Sequence, residues 1–514
     1  MRKRMIALLL SLGMAVSLAA CGGGEAADQN QAEGDGEETG SAYQNDEEPY
    51  TVAIQVVTLP GTVNEGEEDR EAAINEITLP AINCKVDIQE VWISELSNTT
   101  SMAIAGGEKV DLIHVGTVQP LSAMVGSDML LELNENDLLN THGPKLVELF
   151  GDYLASGEAG GKLLAVPAKN FNASGAGFDY NKTVADKYNI TIPEETDFQG
   201  LEDALYAFHE TGDNMYPFYM GSGQLNFLSF FYGYDSFGQE GSYGVILDAA
   251  KEPKVENIYA SDLFKEYCLA TYKWRQDGVL PGDPVDSTTA QEYFGGERLF
   301  VGGGTSIDES NKSSIGAKYE FEVGWSQMVK PRITTAGVTE YMWGIAHNSE
   351  RPDKAMDFLN YLYEDPRVAN ILKYGLEGVN YEFAEGSDKV IVSNGTYLEQ
   401  FLVCGDQRQC LVQAPAGEDF VEKCQAMEAE AEISPILGYM FDDSGFQVES
   451  SVIYSTILEY LPRLQNGMGV SEEDTLAIID EFNQKLDAAG INDVIAENQK
   501  QLDEFMASKS KTPL

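Results

Sequence analysis

The spacing of apolar positions from Tyr50 onward switches regularly between strand and helix periods. Val52, Ile54, Val56 and Val57 crowd 51–58 and predict a buried strand. A charged stretch carrying Ala72, Ala73, Ile74 and Ile77 reads as a helix. A second strand is predicted over 84–91, and a second helix over 92–105. The turn Gly106-Gly107 then leads into a third strand at 110–115. This β-α-β-α-β order predicts an α/β chain with a mostly parallel sheet, helices covering both faces. In such sheets ligands bind beyond the carboxyl ends of the strands, and the turn Gly116-Thr117 stands at such an end.

Further on, 161–167 reads as a short strand closed by Pro167. The chain then turns aromatic, with Phe208, Tyr216, Phe218, Tyr219, Phe227, Phe230, Phe231, Tyr232 and Tyr234 close together. These read as core or cleft wall. A helix is predicted near 262–276, and 295–300 leads into a loop, Gly302-Gly303-Gly304-Thr305-Ser306. The strand 341–346 feeds a helix with Pro352 in its first turn and Ala355, Phe358, Leu359 and Leu362 on one face. Asp365-Pro366 starts another helix, stopped near Gly375. Near the C-terminus, Ser471 and Asp474 resemble a capping box. Leu476, Ile479, Phe482 and Leu486 form a stripe, and Gly490 ends it.

The first twenty residues follow a different grammar. Arg2, Lys3 and Arg4 precede an apolar run over 5–18, and Ala19 and Ala20 precede Cys21. A positive start, a short apolar stretch and small residues mark a secretory signal, here 1–20. The run falls short of the roughly 20 apolar residues of a membrane span. Leu18-Ala19-Ala20-Cys21 resembles the bacterial lipobox, which implies a lipid on Cys21 and anchorage to the outer face of a membrane. Residues 21–49 hold no Lys or Arg and no aromatic except Tyr43. Such an acidic stretch cannot bury enough apolar surface to order itself, and is expected to be an extended tether.

A net charge of −51 argues against nucleic acid and against binding a membrane through charge, leaving the lipid as the expected contact. With 514 residues, 43% of them apolar, the chain is long enough for two cores. Besides Cys21 there are Cys84, Cys268, Cys404, Cys410 and Cys424. Cys404 and Cys410 are close enough in sequence to close a small loop, but the favoured reading makes all five small buried hydrophobes. No zinc-type Cys/His spacing, nucleophile elbow, phosphate loop or HExxH occurs, so neither metal, cofactor nor catalysis is expected. With 84 acidic residues, pairs such as Asp442-Asp443 arise by chance and do not signal a glycosidase.

Four local patterns resemble extracellular solute-binding proteins of ABC importers, the superfamily that includes maltodextrin-binding proteins. They are Gly106-Gly107-Glu108-Lys109-Val110-Asp111-Leu112; the Gly161 to Pro167 strand with Phe178-Asp179-Tyr180-Asn181-Lys182; Glu297-Arg298-Leu299-Phe300-Val301-Gly302; and Trp343-Gly344-Ile345-Ala346 with the Pro352 helix. Lys373-Tyr374-Gly375-Leu376-Glu377-Gly378-Val379-Asn380-Tyr381, the segment from Ile433 to Asp442, and Asp487-Ala488-Ala489-Gly490-Ile491 resemble a subfamily of longer lipoproteins. The resemblance implies a type II periplasmic-binding-protein-like fold of two α/β lobes. Lobe 1 would be 50–166 and 330–376, and lobe 2 would be 167–329 and 377–514, with crossings near Pro167, Lys330 and Glu377. It further implies a monomer on the extracellular face of a Gram-positive-type cell membrane, capturing a small-molecule carbohydrate by cleft closure and delivering it to permease subunits. A surface receptor's ligand sensor and a surface glycan-active enzyme are the alternatives. Matched to the family's pocket loops, Trp343 and Phe441 become aromatic platforms. Thr117, Asn172 and Asp442 become hydrogen-bonding groups, with Phe171, Gly303, Gly304 and Tyr341 beside them. Many sugar-binding relatives carry an aromatic where Gly302-Gly303-Gly304 stands, which argues against a long oligosaccharide and implies room for a bulkier or differently shaped ligand.

Overall fold

The computed structural model describes residues 48–59, 64–219, 228–251, 253–281, 290–400, 402–403 and 405–509. Cys21, the signal, the tether up to 47, Phe227 and Cys404 lie outside the described residues.

Strand β1 (Tyr50–Thr58) is buried on both faces from Val52 onward, which is why its apolar run is nearly continuous. Its polar interruption, Gln55, accepts a hydrogen bond from Thr100 Oγ1 at 2.7 Å. Helix α1 (Glu67–Ile82) opens with Glu67, Glu68 and Asp69, charges that suit the positive end of the helix dipole. Strand β2 (Cys84–Trp92) runs parallel to β1 in unbroken register, Tyr50 opposite Cys84 and Thr58 opposite Trp92. Helix α2 (Leu96–Gly106) starts later than its pattern predicts because β2 continues to Trp92 and a turn follows. Strand β3 (Leu112–Gly116) completes the unit, and the strand expected over 161–167 is split into Lys162–Leu163, paired with Glu158–Ala159, and β4 (Val166–Pro167).

The chain then enters a second lobe through β5 (Ser174–Asn181), α3 (Asp262–Gln276), β6 (Val301–Ile307), α4 (Glu309–Lys318) and β7 (Val323–Ile333). The Gly302-Gly303-Gly304 segment, expected as a pocket loop, is instead the buried start of β6. A Cβ on Gly302 would stand 2.8 Å from Phe294 and from Asp179, and one on Gly304 would stand 2.7 Å from Phe230. Bare backbone is what lets this strand pack so closely.

The return brings β8 (Tyr341–Ile345), α5 (Pro352–Glu364), α6 (Pro366–Tyr374), β9 (Tyr381–Phe383), β10 (Val390–Ser393) and β11 (Val412–Gln413). Helix α7 (Phe420–Glu430), strand β12 (Glu432–Ile433) and helices α8 (Gln447–Gln465), α9 (Glu472–Ala488) and α10 (Ile491–Lys509) follow.

The first sheet has the order β2-β1-β3-β8-β4. Its β1, β2 and β3 are parallel, while β8 re-enters antiparallel from the other lobe. The second sheet, β6-β5-β7-β12, departs from the mostly parallel arrangement expected. Both β6 and β7 run antiparallel to β5, because the β6–α4–β7 crossover straddles the strand that entered the lobe first. Trp274 and Phe208 anchor the second core, joined by Ile453, Ile457, Phe482 and Leu502 from the C-terminal helices.

The described residues of 377–413, expected in the second lobe, pack on the first. Val57 N–H donates to Gln400 at 3.0 Å, the Arg70 guanidinium lies 4.3 Å over the Tyr397 ring, and Val403 and Cys410 join the first core. The third passage between lobes therefore follows β11, where α7 leads into β12 beside β7. The other two run through 168–173 and 334–340. Cys84, Cys268 and Cys424 are buried free thiols, and Cys410 is buried as well.

Candidate functional site

A cleft of about 800 Å³ opens where the three passages meet. The first passage contributes Lys169, Phe171 and Asn172, the second Glu340 with Tyr341 at the start of β8, and the third Phe420, Cys424, Met427 and Glu428 from α7. The α7 residues fall at helical spacing, so one face of that helix lines the cleft. The first lobe adds Lys373, Glu399, Gln407 and Gln413, and the second adds Ser306 and 308–311.

That second-lobe wall is organised by the start of α4. Asp308 caps the helix by accepting from Asn311 N–H at 2.9 Å, and also accepts from Ser174 Oγ at 3.2 Å. Asn311 Nδ2 donates to Thr305 Oγ1 at 2.8 Å, which fixes its side chain beside the cleft. Across from it, Lys169 pairs with Glu340 at 2.6 Å and stands 5.1 Å over the Tyr341 ring. Lys373 lies 3.4 Å from Glu399.

The described lining residues carry five carboxylates, Asp308, Glu309, Glu340, Glu399 and Glu428, against two ammonium groups. Burial raises the Glu428 carboxyl above its ordinary range, against the opposing effect of two backbone N–H groups and Lys169. Burial, reinforced by Glu309 and Asp308, pushes the Cys424 thiol up to about 12, so it stays protonated and a poor nucleophile. The described lining offers three partly exposed aromatic rings, Phe171, Tyr341 and Phe420, among short hydroxyl, amide and carboxylate groups. Such a surface suits reversible binding of a ligand with flat apolar faces and a polar rim.

Of the residues expected from sequence, the cleft brings together Phe171, Asn172 and Tyr341. Asn172 is 4% exposed; its Nδ2 donates to Lys169 carbonyl at 3.2 Å, while its Oδ1 has no protein donor among the described residues. Thr117 sits just outside, its hydroxyl donating to the Glu340 carbonyl at 3.3 Å. The others lie elsewhere. Trp343 shares a face of β8 with Tyr341 but sits two residues deeper, 0% exposed, with its ring centroid 4.1 Å from that of His114. Phe441 packs into the second core, 5.3 Å from Tyr243. Asp442 is exposed beside α10, its N–H donating to Gln501. Gly303 and Gly304 are held in β6. Sequence reasoning missed Phe420 and Glu428, although Phe420, Cys424 and Met427 form an apolar stripe that marked α7 as packed on one side.

The model of the bacterial extracellular solute-binding protein family matches residues 66–366, and that of a domain of unknown function matches 435–507, which covers α8, α9 and nearly all of α10. The chain is 26% identical over 451 residues to a carbohydrate ABC transporter substrate-binding protein of Streptococcus pneumoniae, covering 85% of this chain and 88% of that one. Its fold is similar to the N-glycan transport solute binding protein of Streptococcus pneumoniae, with a TM-score of 0.76, 24% identity and coverage of 89% of this chain and 100% of that chain. The same relative in complex with Man5GlcNAc gives a TM-score of 0.65 at 24% identity, covering 90% of this chain and 100% of that one. The family match spans more than half of the chain and takes in β2 to β8 and the first two passages, so the protein belongs to the bacterial extracellular solute-binding protein family.

Proposed function

We propose that the protein is the substrate-binding subunit of an ABC importer and captures a carbohydrate in the cleft between its lobes. The observation that carries this reading is the cleft itself. It combines three aromatic rings, Phe171, Tyr341 and Phe420, with hydroxyl and amide groups from both lobes. Sugars present flat C–H faces to the rings and hydroxyl rims to the polar groups. A volume of about 800 Å³ lies in the upper part of the range for small-ligand sites, which favours an oligosaccharide over a single sugar. The relatives support the same reading, since one is described as a carbohydrate transporter's binding protein and another binds Man5GlcNAc.

Capture proceeds by closure of the lobes about the three passages, driven by the extra contacts that the closed form makes with the sugar. The lipid on Cys21 and the acidic tether keep the loaded protein beside its permease at the outer face of the membrane. A single acyl chain holds a protein only marginally, so more than one chain is required there. Calorimetric titration with mannose-containing oligosaccharides, peptides and polyamines tests the reading. Saturable binding of oligosaccharide alone supports it, and a response confined to peptides or polyamines overturns it.

A further inference from the structure

The first passage carries four cleft residues, yet its backbone joins neither sheet between Ala168 and Ser174. Four consecutive N–H groups there are held by just two side-chain oxygens. Asn170 and Phe171 donate to Gln407 Oε1 at 2.9 and 3.3 Å. Asn172 and Ala173 both donate to Glu428 Oε1. The Gln407 half is secured to the first lobe, because Gln407 N–H donates to Asn170 Oδ1 at 3.1 Å and Asn170 Nδ2 donates to Asp406 at 2.7 Å. The Glu428 half is secured to α7, in the third passage.

We propose that Glu428 is a positioning residue for solute capture: it grips the Asn172 and Ala173 amides from the third passage and so sets how Phe171 and Asn172 meet the solute. This rests on the cleft being the solute site. Without Glu428, two amides at the cleft floor lose their acceptor, and the segment between Phe171 and Ser174 is free to turn. With it, two of the three passages are tied at one point, so they rotate together when the lobes close. Hydrogen bonds to an ionised group are the stronger kind, which suits a single oxygen serving two donors.

The carboxylate is also the acid-sensitive member of this arrangement. It is partly buried, and its ionised form is the better acceptor. The groups facing it are Lys169 on the first passage, Tyr153 from the first lobe and Cys424 on α7 itself; Asp308 and Glu309 at the start of α4 stand beyond Cys424. Protonation of Glu428 weakens its hold on both amides, so solute affinity falls on the acid side.

Glu428→Ala and Glu428→Gln, compared with the unaltered protein, test the proposal by two readouts. Hydrogen exchange of the Asn172 and Ala173 amides needs no solute. It is expected to quicken in Glu428→Ala and to stay protected in Glu428→Gln, whose amide oxygen can accept from the same donors. Titration with Man5GlcNAc is expected to show Kd raised about tenfold in Glu428→Ala. Glu428→Gln, a neutral acceptor like the protonated acid, should bind between the two and lose the acid-side decline. Unchanged exchange and affinity in Glu428→Ala overturns the proposal, as does a Glu428→Gln variant as weak as Glu428→Ala despite protected amides. If the unaltered protein binds no sugar at all, it is the carbohydrate reading that fails, and the exchange readout alone decides the grip.

Discussion

Replacing Trp343 separates a binding platform from a core residue. The side chain is fully buried on β8, lies against the tilted ring of His114, and belongs to the first lobe's core with Ile54, Leu112 and Phe358. Removing so large a buried ring costs about 3–5 kcal/mol from lost burial and the cavity left behind. For a lobe of this size each kcal/mol lowers Tm by about 2–4 °C, so Trp343→Ala is expected to melt roughly 6–20 °C lower. Trp343→Phe keeps a ring against His114. It also deletes Nε1, a buried donor with no partner among the described residues, so its cost is smaller, about 1–2 kcal/mol. Thermal unfolding followed by circular dichroism, paired with oligosaccharide titration well below Tm, reads both quantities. The expected result is a lower Tm in both variants with Kd within about threefold of the parent. An unchanged Tm with lost binding would place Trp343 in the site and refute this packing argument.

Tyr341→Ala, at the cleft end of the same strand, should do the reverse, weakening oligosaccharide about tenfold by calorimetry with little change in Tm. Gly304→Ala forces a methyl to within 2.7 Å of Phe230 and is expected to destabilise the second lobe by about 1–3 kcal/mol in urea unfolding. Arg70 is buried, pairs with Glu90 at 2.8 Å and donates to the Glu65 carbonyl. Arg70→Ala strands that carboxylate and should cost about 3–5 kcal/mol by the same assay. Burial lowers the pKa of His114 from 6.5 to about 3. Between those two values the unfolded chain binds the proton and the folded chain does not, so this residue's contribution to stability falls as pH drops through that window. His114→Phe should therefore flatten the acid limb of a stability–pH curve, and an unaltered limb would contradict the assignment.

Much of the first lobe was legible because its strands are buried on both faces and its helices keep a clean period. Thr51 to Thr58 and the Ala355, Phe358, Leu359, Leu362 stripe leave little room for another reading. The second sheet was harder, since alternation of strand and helix does not say that β5 would be inserted between β6 and β7. Gly302-Gly303-Gly304 reads as a loop by composition, and only the rings and carboxylate pressed against it explain a strand there. The site was legible where a residue's place on its element decides its exposure. Tyr341 and Trp343 carry the same face, and their depth along β8 follows from the fold rather than the pattern. Glu428 left no signal, because its partners are backbone amides some 255 positions earlier in the chain.

Calorimetric titration of the purified protein with Man5GlcNAc, repeated on a Phe171→Ala, Tyr341→Ala double variant, tests the central claim most directly. The account predicts saturable one-to-one binding by the parent and its loss in a double variant that still unfolds cooperatively near the parental Tm. Absence of binding by the parent, or equal binding by both proteins, would contradict capture of a carbohydrate in this cleft.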